Sequence, residues 1–229
     1  MKVIMFGATG MVGQGVLREC LLDPGVDVVL SVGRTPLVSA LTWPALGPQA
    51  QAKLRQLVRR DLRDYSPVEP EFTGFDACFF CLGVSAVGMT EEEYRRVTYD
   101  ITLAAAETLV RLNPGMAFIY VSGVGTDSTG SGRLMWARVK GQTENALLRL
   151  PFKGAYMFRP GGIVPLHGIV SKTRAYRIGY VLAKPFLPLL LRAFPRSLTT
   201  TEQMGRAMLR VARDGYPKPI LEARDICGL

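Results

Sequence analysis

Apolar residues fall in short runs separated by amphipathic stretches, and the two alternate along most of the chain. Val3 to Phe6 is an apolar run of strand length, and from Met11 the apolar positions Val12, Val16, Leu17 and Leu21 recur at helical spacing. Val26 to Val32 reads as a second strand, Lys53 to Arg59 as a third and Phe75 to Leu82 as a fourth. The fourth is apolar on both faces, as a central parallel strand between helix layers must be. Leu37 to Gln51 reads as a loop, with Pro36, Pro44 and Pro48 as breakers. Thr90-Glu-Glu-Glu93 is a capping box that opens a helix to about Leu112, stopped by Asn113-Pro-Gly115. Met116 to Ser122 is a fifth strand, Arg133 to Leu150 a helix ended by Pro151, and Gly154 to Arg159 a sixth strand. This alternation predicts an α/β fold: an open, doubly wound parallel sheet, Rossmann-like, with right-handed crossovers.

Beyond Pro160 the pattern changes, which divides the chain into a dinucleotide-binding domain over 1–160 and a small substrate or lid region over 161–229, packed on the same core. Pro160-Gly161-Gly162 and Pro165-Leu-His-Gly168 read as loop. Lys172 to Phe194 is apolar and basic, but Lys184, Pro185 and Pro188 interrupt it, so it is no clean membrane span of ~20 apolar residues. Its place after the last strand favours a substrate-covering lid over an amphipathic piece resting on a membrane. Thr199-x-x-Glu202 is a second capping box, starting a helix to about Asp214, and Ile220 to Ala223 reads as a short final strand.

The junction of the first strand and helix carries the most specific chemistry. Gly7, Gly10 and Gly13 stand in GxxGxxG spacing between them. Such a turn lets backbone N–H groups approach a dinucleotide pyrophosphate, and the helix N-terminus beyond it attracts an anion. Gly7, Thr9, Gly10, Met11, Val12 and Gly13 are the expected contacts. An NAD site expects Asp or Glu about 20 residues further on, to hold the ribose hydroxyls. Here Ser31-Val-Gly-Arg34-Thr35 offers a guanidinium and hydroxyls instead. Arg34 would attract a 2′-phosphate, so NADP is expected over NAD. Asp61 and Leu62, after the third strand, suit the adenine amino group and ring. Cys81, Leu82 and Gly83 end the fourth strand where backbone should pass the cofactor, with no Cβ at Gly83 to obstruct it.

Composition narrows the alternatives. The chain has 229 residues, 48% apolar and 21% charged, which suits one substantial core. No cationic leader precedes an apolar run and cleavage site, so a cytoplasmic protein is expected. The net charge of +9 would suit nucleic acid, but the basic residues are spread along the chain without a groove-reading motif. A small-molecule substrate is expected, with no nucleic acid, and with a monomer or weak homodimer as the working state. Cys78 and Cys81 fit CxxC by spacing, yet they lie in a predicted core strand far in sequence from the one histidine, His167. Buried free thiols are expected and no metal.

With these pieces placed, the chain resembles the atypical short-chain dehydrogenase/reductase superfamily, of the NAD(P)-binding, epimerase-like kind, from Lys2 to about Ala223. The segments that carry the resemblance are Gly7-Ala-Thr-Gly-Met-Val-Gly13, Asp61-Leu62, Cys81-Leu-Gly83, Tyr120-Val-Ser-Gly123, Trp136-Ala-Arg-Val-Lys-Gly141 and Phe158-Arg-Pro-Gly161. The last two also resemble the branch containing the Tat-interacting oxidoreductase-like protein. In the family a Ser after the fifth strand works with Tyr and Lys spaced YxxxK on one helix face. The lysine holds the nicotinamide ribose, the tyrosine moves a proton and the serine orients the substrate carbonyl. The resemblance implies Ser122 and Lys140 for the serine and lysine, and Arg159 and Pro160 for backbone facing nicotinamide and substrate. Four residues before Lys140, however, stands Trp136, whose indole N–H does not titrate. Three explanations compete. Another group supplies the proton (Ser122, Tyr99 or a water held by Lys140), the reaction needs no strong acid, or the protein binds cofactor without turnover. An oxidoreductase or epimerase-like enzyme is the first expectation, and a catalytically weak NADP-binding regulatory or sensor protein the second.

Overall fold

The structure, a computed structural model, describes residues 1–37, 46–169, 192 and 196–229. The expected lid stretch, Lys172 to Phe194, therefore lies almost wholly outside the described residues. Strand β1 (Lys2–Phe6) leads through the glycine turn into α1 (Met11–Leu22), then β2 (Val28–Gly33), a short α2 (Pro48–Ala52) and β3 (Leu54–Val58). A 3-10 segment (Ser66–Phe72) precedes β4 (Ala77–Phe80). Next come α3 (Glu91–Arg95), a π turn (Arg96–Asp100), α4 (Ile101–Leu112), β5 (Ala117–Val121), α5 (Met135–Leu147) and β6 (Gly154–Arg159). The rest of the described chain forms β7 (Gly162–Val164), β8 (Leu198–Thr200), α6 (Thr201–Asp214), β9 (Ile220–Glu222) and α7 (Ala223–Cys227).

Seven strands form one parallel sheet in the order β3-β2-β1-β4-β5-β6-β9. Successive residues of each central strand feed opposite layers, as the two-residue strand period requires. Val3 and Met5 of β1 and Phe79 of β4 join α1 and α6 through Val16, Leu17, Met204 and Met208. Ile4, Phe6, Phe80, Phe118 and Tyr120 join the 3-10 segment, α4 and α5 through Phe72, Leu109 and Leu147. On that second face Phe6 stacks on Phe80 at 5.1 Å and Phe80 on Phe118 at 6.0 Å, so a row of rings crosses three strands.

Several elements differ from the sequence reading. The long helix after Thr90 is two α segments joined by a π turn, a feature that often marks functional positions. The cap of α6 is Thr200: its Oγ1 accepts from Gln203 N at 3.0 Å and Gln203 Oε1 accepts from Thr200 N at 3.0 Å. The expected Thr199–Glu202 box sits one residue too early, because Thr at successive positions makes the register ambiguous. The expected Pro160–Gly168 loop contains β7, which pairs with β8 in a second small sheet. Ile220 does begin a strand, but it ends at Glu222, whose N–H donates to Asp225 Oδ2 at 2.8 Å at the start of α7. Through β9 the segment 196–229 joins the main sheet, while its β8 pairs with β7.

Between β5 and α5 the chain makes a loop held by Asp127, whose carboxylate accepts from the N–H groups of Thr129, Ser131 and Gly132. This loop passes so near α5 that a Cβ on Gly141 would lie 1.7 Å from the Asp127 carbonyl oxygen. Glycine is required by that approach. Gly141→Ala is expected to lower stability by about 1–3 kcal/mol through overpacking, read from chemical denaturation. Gly115→Ala, where a Cβ meets nothing within 4 Å, is expected to change it by less than about 0.5 kcal/mol.

Candidate active site

A groove crosses the C-terminal ends of β1 and β4, where the strand order reverses, the usual ligand position in such sheets. It comprises two cavities of about 650 and 530 Å³ that share Gly10, Cys81, Gly83, Val84 and Ser85. The larger reaches Arg34 and the smaller reaches Lys140. Gly7, Thr9 and Gly10 line the first, and Met11 and Val12 line the second. Gly7 has φ +82°, and a Cβ there would sit 2.4 Å from Leu82 N; a Cβ on Gly13 would sit 2.1 Å from Gly7 O. Two of the three glycines are thus required by protein packing alone. Gly13 stands behind the turn rather than in the cavity wall. Gly83 lines both cavities, and a Cβ there would meet no protein atom within 4 Å. Gly10 caps α1 without a side-chain hydrogen bond, which leaves that helix end addressed to the groove.

At the other side of the larger cavity Arg34 and Leu62 face the same space. A smaller adjoining cavity of about 340 Å³ adds Arg60, Asp61 and Arg63. The Asp61 carboxylate already accepts from Arg63 N at 2.9 Å. This end is therefore rich in guanidinium groups, with one partly engaged carboxylate.

At the Lys140 end Trp136, Ser122 and Tyr94 share the cavity wall. Trp136 and Lys140 lie one turn apart on α5. The Lys140 ammonium stands 5.4 Å from the Tyr120 ring centre. Burial pushes its pKa down to about 8, against the opposing pull of the nearby Glu144 carboxylate. Ser122 Oγ donates to Glu144 Oε1 at 2.5 Å or to Phe158 O at 3.1 Å, so its proton points into the protein. Glu144 is fully buried and ion-paired with Arg159. Arg159 in turn reaches Glu222 Oε1 at 3.1 Å and Ser128 Oγ at 2.6 Å.

The Arg159 side chain is taken up by the buried Glu144 and the partly exposed Glu222, and neither Arg159 nor Pro160 lines the two cavities. Pro160 contributes its carbonyl to Val124 N at 2.9 Å. Tyr99, one sequence candidate for a proton source, lies under the Arg95 guanidinium, 4.0 Å from its ring centre, and does not line the cavity. Two residues were missed. Glu144 follows Lys140 by four positions on the same helix face, a spacing visible in the sequence. Tyr94 lies in the first turn of α3 and belongs to no motif, so only the fold brings it to the groove. Cys20 and Cys78 are buried free thiols, while Cys81 and Cys227 are half-buried. No metal-holding group of His, Cys, Asp and Glu occurs among the described residues, and no described helix is long and apolar enough to cross a membrane.

Comparison with known proteins agrees with this geometry. No family model matches the chain. It is 28% identical over 167 residues to Leucinostatins biosynthesis cluster protein T of Purpureocillium lilacinum, covering 71% of this chain and 58% of that protein. It is 29% identical over 160 residues to Protein HTATIP2 of Rattus norvegicus, covering 70% and 62%, and 26% identical over 163 residues to the mitochondrial protein fmp52 of Emericella nidulans, covering 70% and 66%. The chain thus spans about six-tenths of the length of these relatives. Among solved structures, an oxidoreductase of the short-chain dehydrogenase/reductase family from Burkholderia thailandensis superposes with TM-score 0.67 at 17% identity, covering 98% of this chain and 91% of that one. The Bordetella bronchiseptica enzyme WbmF, solved with NAD+, gives 0.66 at 15%, covering 99% and 76%.

The Lys140 environment makes stability depend on pH. Folded Lys140 loses its proton near pH 8, and an unfolded lysine near the ordinary value of 10.5. Between those values the unfolded state holds more protons, so this group's contribution to stability rises with pH. Lys140→Met is expected to be the more stable chain at neutral pH, with the gap narrowing across that window. A gap that ignores pH contradicts the assignment. By its sheet and groove the chain shares the fold of short-chain dehydrogenase/reductase structures, and over about 70% of its length it is similar to HTATIP2 and the FMP52 proteins.

Proposed function

We propose that this is an NADP-dependent oxidoreductase or epimerase-like enzyme acting on a small organic carbonyl or alcohol. The observation that carries this reading is the single groove from Arg34, across the glycine turn, to Lys140. Its residues fit the cofactor. The Gly7–Gly13 turn and the N-terminus of α1 would receive the pyrophosphate. Arg34 would take the 2′-phosphate through its donor fork, Leu62 would line the adenine with Asp61 at its edge, and Lys140 would hold the nicotinamide ribose hydroxyls. Cys81, Leu82 and Gly83 would form the floor. When bound, the nicotinamide supplies or accepts hydride; the chain's part is to orient the substrate and move its proton. We take the net charge of +9 to serve anionic ligands rather than nucleic acid. A monomer or weak homodimer is the proposed working state, with membrane-surface contact the less favoured alternative. A cytoplasmic location is proposed beside relatives whose name places them in mitochondria, and cell fractionation decides between the two.

A second reading is a cofactor-binding regulatory or sensor protein with little turnover. It is favoured by Trp136 at the usual tyrosine position and by the Ser122 hydroxyl turned to Glu144.

Fluorescence titration tests the cofactor assignment. NADPH is expected to bind roughly tenfold or more tightly than NADH, the worth of a charge-assisted hydrogen bond. Arg34→Ala is expected to bring the two within about threefold by weakening NADPH alone. Equal weak binding of both nucleotides by the unmodified chain would refute it.

A further inference from the structure

Besides Trp136, whose indole N–H does not titrate, five side chains at the Lys140 end carry a proton on O, N or S: Cys81, Ser85, Tyr94, Ser122 and Lys140. Ser122 directs its proton to Glu144 or to the Phe158 carbonyl, away from any substrate. The half-buried Cys81 thiol is pushed up to about 12 by desolvation, and Ser85 stands on the exposed loop after β4, its hydroxyl accepting from Val87 N at 3.3 Å. Lys140 is already assigned to the ribose. Tyr94 is left.

Its placement is tightly determined. A capping box fixes the start of α3: Thr90 Oγ1 accepts from Glu93 N at 3.3 Å, and Glu93 Oε2 accepts from Thr90 N at 2.9 Å. Two side-chain links clamp α3 to α5. Arg138 Nη2 meets Glu91 Oε2 at 2.5 Å, and Arg95 Nη1 donates to Gln142 Oε1 at 2.7 Å. Tyr94 is thereby held on the wall it shares with Lys140 and Trp136, with only 2% of its surface exposed. Thr98 and the buried Tyr120 are its polar neighbours on the protein side. Tyr120 also carries the Lys140 ammonium over its ring.

We propose that Tyr94 is the catalytic proton donor of this site, supplying from α3 the phenol that α5 lacks because Trp136 stands there. The proposal rests on the oxidoreductase reading. In carbonyl reduction the substrate carbon gains hydride from reduced nicotinamide, and the C=O π pair moves to oxygen. The Tyr94 Oη–H bond breaks as that oxygen takes the proton, so an alcohol forms, the nicotinamide is left oxidised and the phenolate is reprotonated from solvent beside Lys140. Burial raises the Tyr94 pKa, which keeps the phenol protonated at neutral pH; an alkoxide is still the stronger base, so the transfer is downhill.

The test uses NADPH with 9,10-phenanthrenequinone and 4-nitrobenzaldehyde as probes. Tyr94→Phe keeps the ring and its packing. It is expected to lower kcat by at least about 100-fold while NADPH affinity, read by fluorescence, stays within about threefold. Tyr99→Phe is expected to stay within about threefold on both readouts. A second measurement needs no turnover: the near-ultraviolet tyrosinate titration of the unmodified chain minus that of Tyr94→Phe should show a phenol ionising above the ordinary value of 10. Full turnover in Tyr94→Phe, or a Tyr94 ionising near neutrality, overturns the proposal and leaves the oxidoreductase reading intact. A chain that binds NADPH but reduces neither probe overturns both. A chain that binds no nucleotide removes the cofactor reading beneath them.

Discussion

The close approach of the glycine turn to the end of β4 is the constraint on which the site depends. With Cβ positions at Gly7 and Gly13 falling 2.4 and 2.1 Å from backbone atoms, no other residue lets β1, α1 and β4 meet as they do. That contact sets where α1 begins, and so where its unpaired N–H groups point. It also leaves open the space beyond the C-terminal ends of β1 and β4, which Gly83 lines. Local backbone freedom, helix packing and anion affinity are here one arrangement rather than three.

A second constraint lies at the far side of the sheet. Burying Glu144 beside Arg159 is costly in desolvation, and the cost is offset only because each group has several partners. The network joins β5, α5, β6 and β9 through Ser122, Glu144, Arg159 and Glu222, and so ties the returning C-terminal strand to the active-site wall. The same network claims the Ser122 proton. Stability at this edge and substrate orientation by Ser122 compete for one hydroxyl, and in this conformation stability has it. Under the proposed function, with Trp136 where the family tyrosine would stand, the proton comes from another group.

Most of the main sheet was legible in the sequence because its signals are local: apolar runs of strand length, glycine spacing and proline stops. Gly154–Arg159 matches residue for residue, and the groove-lining residues around the turn follow from Gly7 to Gly13 alone. What escaped was set by tertiary contact. Nothing local distinguishes Thr199 from Thr200 as a cap, and the π turn at Arg96–Asp100 has no composition of its own. The ion pairs of the Arg159 side chain were not legible either, since its partners Glu144 and Glu222 lie 15 and 63 positions away. Tyr94 reaches the groove through a clamp between two helices, which no single stretch of sequence records.

The central claim is that the glycine turn and the floor facing it receive a pyridine dinucleotide. Amide hydrogen exchange with and without NADPH tests it most directly. Slowed exchange at residues 8–13 and 81–85, with the amides of α6 unaffected, is the expected result. Unchanged exchange at the turn under saturating NADPH would contradict it.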